Sequence, residues 1–96
     1  MYVLQVHFHE EQSNLNVHIA EHTRWVNEAM QEKLFILAGQ KTRVRGSIML
    51  AVDMPKAQLD ALINNDPFVK NKLASYTISH FDPFFYQDEL SNFISG

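Results

Sequence analysis

The 96-residue chain contains no cysteine. Disulfide bonds, zinc–thiolate sites and thiol nucleophiles are therefore excluded, and the composition fits a reducing compartment. Glycine and proline are scarce, with three of each, and no glycine-rich loop is present to hold a phosphate. A serine-nucleophile elbow is absent as well.

Positive charge and long apolar runs are also scarce. The formal net charge is −3, and the one basic cluster, Lys41, Arg43 and Arg45, is typical of a solvated turn rather than of a nucleic-acid surface. No apolar run approaches the ~20 residues that span a bilayer. The segment from Met1 to Phe8 lacks the basic start and long apolar stretch of a signal peptide. We therefore expect a cytoplasmic protein that binds neither nucleic acid nor a membrane.

The remaining composition is that of an ordered globular protein. Hydrophobic residues make up 46% of the chain and charged residues 20%. The length predicts a single domain over residues 1–96. Because a chain this short buries only a modest core, we expect it to gain stability from a partner subunit.

Hydrophobic periodicity predicts strands and helices in a definite order. Period-two alternation marks strands, and apolar residues at spacings of three and four mark helices. The predicted elements are a strand over 2–9, a polar connection over 10–14, helix one over 15–32, a strand over 33–38, a strand over 47–52, helix two from Pro55 to Ile63, a helical turn over 68–73, a strand over 76–81 and a short helix over 86–94.

The order β-α-β-β-α-β is typical of the ferredoxin-like α+β fold, an antiparallel four-stranded sheet with its helices on one face. The other face is then left uncovered, and a sheet of apolar side chains in water risks aggregation. Proteins of this kind usually cover the apolar face by forming a dimer in which the sheets of the two copies face each other. We therefore predict a homodimer of the dimeric α+β barrel type.

His22 lies within the apolar stripe of helix one. The stripe consists of Leu15, Ile19, His22, Val26 and Met30. An ionisable ring on the buried face of a helix is either a hydrogen-bonded structural histidine or one that is held in a pocket for chemistry. Both interpretations stay open at this point.

A carboxylate close to His22 would favour the interpretation in which this histidine takes part in a reaction. Asp66, before Pro67, could hold the far ring nitrogen, so that the imidazole accepts or gives a proton as an acid–base group. Ser47 could donate a hydrogen bond to a substrate oxygen. Each residue also has an ordinary structural interpretation, because Asp before Pro commonly ends a helix and Ser is a common small strand residue.

The expected pocket is small and lined by aromatic side chains. We expect it to bind a small cyclic or aromatic carbonyl compound, and nothing in the sequence requires a cofactor. The candidate substrate-binding residues are Ser47, Trp25, His18, His7 and Phe68, and Phe84 is a further aromatic candidate.

A metal site is a third interpretation of the histidines. His18 and His22 stand at i and i+4, a spacing that allows two imidazoles to bind one ion, and His7, His9 and His80 could complete the set in space. No glutamate adjoins His18 to form a zincin-like motif, and chance pairs are common among five histidines. We therefore predict no metal.

Four ordered features carry a resemblance to a known family. The first is His22 on helix one followed by the strand end Phe35-Ile36-Leu37-Ala38-Gly39, and the second is the strand opening Gly46-Ser47-Ile48-Met49-Leu50. The third is the turn Asp66-Pro67-Phe68, and the fourth is the closing strand with Pro83-Phe84. This set resembles the YCII-related family, a branch of the dimeric α+β barrel proteins.

The resemblance implies a ferredoxin-like fold, a homodimer, and a pocket between helix one and the sheet. It also implies a His–Asp pair, which falls on His22 and Asp66. Relatives in the wider superfamily include isomerases, dehydrochlorinases and cofactor-free monooxygenases, so the family does not fix a reaction. Two departures are His18 in place of an arginine and Gln40 in place of a proline.

Two function hypotheses follow from the sequence. The first is a small cofactor-independent lyase or isomerase in which His22 is the acid–base group, Asp66 orients it and Ser47 contacts the substrate. The second is a non-catalytic small-molecule-binding or accessory protein in which the same two residues form a structural hydrogen bond.

Overall fold

The computed structural model describes residues 1–9 and 11–94. Glu10, part of the predicted polar connection, lies outside the described residues. The strands are β1 (Tyr2–Phe8), β2 (Phe35–Gln40), β3 (Ser47–Ala51) and β4 (Ala74–His80). The helices are α1 (Gln12–Asn16), α2 (Ile19–Gln31), α3 (Lys56–Asn64), α4 (Pro67–Lys70) and α5 (Ser91–Ile94), with a 3₁₀ turn at Asp88–Leu90 before α5.

The strands form one antiparallel four-stranded sheet in the order β2-β3-β1-β4. Val6 in the central strand β1 faces Ser47 of β3 on one side and Tyr76 of β4 on the other. This register matters below, because Ser47 and Tyr76 both belong to the candidate site. The predicted ferredoxin-like α+β fold is confirmed.

One face of the sheet carries the core. Side chains alternate along a strand, so every second residue of β1 and β3 points toward the helices. Full burial of one large apolar side chain stabilises the folded state by about 1.5–3 kcal/mol. The buried side chains on this face of the sheet therefore supply most of the hydrophobic stabilisation of the fold. The large side chains that are fully buried are Phe35, Leu4, Leu15, Met49, Leu59, Val6 and Asp66. Asp66 is the only charged residue in this group of described residues, which makes its surroundings informative.

The prediction of one continuous helix over 15–32 is wrong. Residues 12–16 already form α1, and the chain then breaks at Val17 and His18 before α2 begins. His18 adopts φ −109° and ψ 1°, and its side chain makes no cap hydrogen bond. The buried residues of α2 are Trp25 and Ala29.

The boundaries of two strands also differ from the prediction. β2 begins at Phe35 instead of Lys33, because Lys33 has φ 61° and ends the preceding helix in a left-handed conformation. Lys72 has φ 60° and plays the same part before β4, which begins at Ala74. Sequence periodicity does not detect a single left-handed residue, so both boundaries were missed.

The face of the sheet opposite the helices is partly apolar and open. Leu37 and Ile48 are exposed on it, and the aromatic side chains of Phe81, Phe84 and Phe85 are exposed in the segment after β4. None of the helices in the described part of the chain is long and apolar enough to cross a bilayer.

Candidate functional site

The Asp66 carboxylate lies at the start of α4 and is fixed by the sequence around it. Pro67 occupies the first helical turn and favours an extended conformation for the residue before it, and Asp66 has φ −61° and ψ 123°. This conformation folds the side chain back onto the helix, where the Phe68 backbone N–H donates to Oδ1 at 3.0 Å. The carboxylate is thus a helix cap that is 0% exposed.

Two further donors reach the same carboxylate from distant parts of the chain. Nδ1 of His22, on α2, lies 2.8 Å from Oδ1 of Asp66. The hydroxyl of Tyr76, on β4, donates to Oδ2 at 2.5 Å. Because an ionised carboxylate only accepts hydrogen bonds, Nδ1 of His22 donates to Asp66, and in the neutral form of the imidazole Nε2 then carries the lone pair.

Tyr76 is the member of this cluster that the sequence analysis missed. Burial, together with the neighbouring Asp66 charge, raises the pKa of Tyr76 well above its ordinary value of 10.0, so the hydroxyl remains a donor. A signal was available, because a buried tyrosine hydroxyl usually finds a partner and Tyr76 alternates with Ala74 and Ile78 on one face of β4. The sequence did not say which acceptor the hydroxyl would reach.

The His22 ring is held on a second side by an aromatic contact. It stacks on Phe68 with the ring centroids 4.4 Å apart and the planes inclined by 23°. The side chain is 20% exposed, and Nε2 has no hydrogen-bond partner within residues 1–9 and 11–94. The imidazole is therefore oriented by contacts at Nδ1 and on its face, while Nε2 is available to another molecule.

A cavity of about 270 Å³ opens beside His22. It lies between α2, the ends of β1 and β2, and the start of β3. Its walls are mainly apolar, and its size suits a ligand of about one ring. The lining residues are Phe8, Leu15, Ile19, His22, Thr23, Val26, Ala38, Gly39, Gln40, Ser47, Met49 and Phe68.

The structure brings His22, Ser47 and Phe68 together on this cavity, with Asp66 behind His22. Their proposed roles in catalysis and substrate binding stay predictions. The other candidate residues, Trp25, His18, His7 and Phe84, lie elsewhere.

Trp25 belongs to the core beside the cavity. Its indole N–H donates to the Leu62 carbonyl at 3.1 Å, and its ring meets Phe35 edge-on at 5.3 Å. These two contacts turn the indole toward α3 and away from the cavity wall. The physical reason is burial, since the large indole is 8% exposed and packs in the hydrophobic core.

The two remaining histidine candidates lie apart from the cavity. His18 sits at the break between α1 and α2, and its Nδ1 is buried with no hydrogen-bond partner in the described part of the chain. His7 alternates onto the open face of the sheet, where Nε2 lies 2.7 Å from the Thr77 hydroxyl. Phe84 is largely exposed in the segment that follows β4.

The five histidines do not assemble into the set considered for a metal. Among the described residues, no three His, Asp or Glu side chains converge on a point that suits one ion. His80 pairs with Asp53 and stands opposite Tyr2, whereas His7 stands opposite Ser75 at the other end of the same two strands. At ~3.3 Å per residue, His7 and His80 are roughly 17 Å apart along the sheet.

The fold and the site together define a class of protein. The chain is a ferredoxin-like α+β domain with a buried carboxylate–imidazole pair on the wall of a small cavity. No family model matches the sequence. No curated protein matches it either.

Among solved structures, the chain is similar to 5-chloro-2-hydroxyhydroquinone dehydrochlorinase from Burkholderia phenoliruptrix, in its complex with 2,5-dihydroxybenzoquinone. The TM-score is 0.64 at 17% sequence identity, over 84% of this chain and 93% of that chain. At this identity the similarity establishes the fold.

Proposed function

We propose that this protein is a small enzyme of the lyase or isomerase type that acts on a hydroxylated aromatic or quinoid ring. One observation carries the proposal: His22 Nδ1 lies 2.8 Å from the fully buried Asp66 carboxylate, and the same imidazole lines a cavity. This combination gives an oriented base with its lone pair available to a ligand.

In the proposed reaction, the ring reacts as its diketo tautomer, in which a carbon next to one carbonyl and the neighbouring carbon that bears the leaving group are both saturated. Nε2 of His22 removes a proton from the carbon next to the carbonyl. The electron pair of the broken C–H bond forms a C=C bond, and an anionic leaving group departs from the neighbouring carbon with its own bonding pair. In an isomerisation, the protonated imidazole instead returns the proton at another carbon. Asp66 stabilises the imidazolium that forms in between.

Two side chains would position the ring during this step. Ser47 opens β3 on the cavity wall, where its hydroxyl can donate to the carbonyl oxygen of the substrate. Phe68 stacks on the imidazole and offers an apolar surface. The substrate class is supported by the small cavity and by the structural neighbour, which is a dehydrochlorinase in complex with a quinone.

We propose further that the chain is a homodimer and a member of the YCII-related family. The open face of the sheet, with Leu37 and Ile48 exposed, supports the homodimer. Sedimentation of the wild type and of Ile48→Asp tests this, and a monomeric wild type rejects it. The hydrogen bond between His22 and Asp66 supports the family assignment.

The test of the activity is a comparison of two histidine variants. Purified protein is incubated with 5-chloro-2-hydroxyhydroquinone and related chlorinated hydroquinones, and chloride release and the quinone absorbance are followed. His22→Asn should lose about 10²–10⁴-fold in rate, the usual contribution of a general acid–base group. His80→Asn changes the same residue type in an exposed His–Asp pair and should leave the rate unchanged.

The outcome also separates the two function hypotheses. Saturable binding of these compounds without turnover by the wild type would favour the non-catalytic binding protein. Equal rates in wild type and His22→Asn would reject the acid–base role directly.

A further inference from the structure

Two polar side chains stand next to each other on the sheet wall of the His22 cavity. Gln40, the last residue of β2, pairs with Ser47, the first residue of β3. Residues that stand directly opposite in an antiparallel pair share one face of the sheet, with their Cβ atoms about 4.5–5.5 Å apart. Both residues line the cavity. The carboxamide and the hydroxyl can therefore bind one ligand together.

The register of the sheet shows which face this pair occupies. Ser47 also stands opposite Val6, which in turn stands opposite Tyr76. Val6 is buried in the core, and the Tyr76 hydroxyl reaches Asp66 on the helix side of the sheet. The row across the four strands therefore faces the helices, and the side chain of Gln40 shares that face instead of the open one.

Gln40 and Ser47 lie at different depths in the cavity. β2 is the edge strand, and Gln40 is exposed, whereas Ser47 on the next strand is half-buried. Gln40 and Phe8 also line a second cavity of about 400 Å³, which the loop of residues 40–46 forms beside the first. Gln40 therefore stands at the mouth of the His22 cavity, and Ser47 stands further in.

The protein itself leaves both polar groups without a hydrogen bond. Within residues 1–9 and 11–94, neither the Gln40 carboxamide nor the Ser47 hydroxyl has a hydrogen-bond partner. The other polar side chains that line the cavity, His22 and Thr23, belong to α2 on the opposite wall. A hydroxyl and a carboxamide can each donate and accept, so this pair can bind two oxygen atoms, whether hydroxyl or carbonyl.

We infer that Gln40 is a specificity-determining residue, which binds a second oxygen of the substrate ring beside the oxygen that Ser47 binds. This inference rests on the proposed function for the position of the ring and for the contact with Ser47. It adds the residue that selects the substrate and the pattern that this residue selects. Because the two groups approach from one wall, the two oxygens must lie on adjacent carbons at one edge of the ring, as in a catechol.

The test compares catechol with hydroquinone, two isomers that differ only in whether the hydroxyls are adjacent or opposite. Each is titrated under nitrogen into ¹⁵N-labelled protein, and the amide shifts of the cavity residues report the affinity and the place of binding. The wild type should bind catechol about two- to tenfold more tightly, the size of one additional neutral hydrogen bond. Sites built to bind a hydroxyl discriminate against analogues that lack it in the same place.

Three variants assign this preference to its residues. Gln40→Met keeps the length of the side chain and removes both polar atoms, so it should lose most of the preference and leave the affinity for hydroquinone unchanged. Ser47→Ala should weaken the binding of both isomers. Gln58→Met is the matched control, since Gln58 is an exposed residue of α3 that lines neither cavity, and it should retain the preference.

Several results would overturn the inference. They are equal affinities of the wild type for the two isomers, equal losses in Gln40→Met and Gln58→Met, amide shifts confined to residues outside the cavity, and no binding at millimolar concentration.

Binding and turnover fail independently in this design. A catechol preference that depends on Gln40, in a protein that turns over no substrate, supports the inference and counts against the enzyme proposal. Turnover that depends on His22, with no preference between the isomers, has the opposite meaning.

Discussion

The described part of the chain contains two His–Asp pairs with similar distances, one through Nδ1 and one through Nε2 of the imidazole, in opposite surroundings. His22 lies 2.8 Å from Asp66, and His80 lies 2.6 Å from Asp53. Each imidazole also stacks on an aromatic ring, at 4.4 Å for Phe68 and 4.3 Å for Tyr2. In the first pair the aspartate is 0% exposed, whereas in the second the histidine is 56% and the aspartate 71% exposed.

The difference between the pairs shows that distance alone does not make a site. Around Asp53, water competes for the carboxylate and screens the interaction, so the pair contributes little. Around Asp66, water is excluded and protein donors replace it, which fixes one tautomer of His22. The buried pair also borders a cavity, and that is where an oriented lone pair can meet a ligand.

The largest expected contrast between the two pairs is in how much each aspartate contributes to the free energy of unfolding. Asp66→Ala removes the helix cap and leaves the buried Tyr76 hydroxyl without an acceptor, so we expect the free energy of unfolding to fall by about 3 kcal/mol. Asp53→Ala should lower it only slightly, because that carboxylate is exposed. Urea denaturation of the two variants measures this contrast, and similar losses would remove the distinction between the pairs.

A smaller contrast is expected for the tyrosines beside each pair. Tyr76→Phe deletes a hydrogen bond to a buried charge and should cost about 1.5–3 kcal/mol. Tyr2→Phe deletes a bond to the neutral Met54 carbonyl at 2.9 Å and should cost about 0.5–1.5 kcal/mol. Both rings are retained, so packing changes little. The same denaturation assay tests this order, and a reversed order contradicts the carboxylate network.

The smallest expected effect is the change in stability that the exposed His80–Asp53 pair causes as the pH is lowered. The hydrogen bond from His80 lowers the pKa of Asp53 below its ordinary value of 3.8. A lowered pKa in the folded state means that the contribution to stability is present above the unfolded pKa and is lost as the pH falls through the folded value. Thermal unfolding should therefore separate wild type from Asp53→Asn slightly near pH 6, and the gap should shrink as the pH falls below 3.8. A gap that widens in acid would contradict this sign.

The candidate site was only partly predictable. His22 in an apolar stripe and Asp66 before a proline are local signals, and the structure brings both residues to one point. Tyr76 was missed because its partner lies on another element, and the local pattern carries no information about contacts across the fold. Trp25 was placed on the cavity although its indole packs in the core, because the sequence does not show that the indole N–H reaches the Leu62 carbonyl on α3.

The sequence by itself determined the order of the elements, the α+β class and the two residues of the buried pair, because alternation, helical spacing and proline geometry act over a few neighbouring residues. Only the tertiary structure decided which of the two His–Asp pairs is shielded from water and which hydroxyl donates a further hydrogen bond to its carboxylate. It also decided which loop adjoins the cavity beside that pair. These properties depend on the exclusion of water by residues far apart in the chain, such as His22, Asp66 and Tyr76. Folding creates that exclusion, and no local segment contains it.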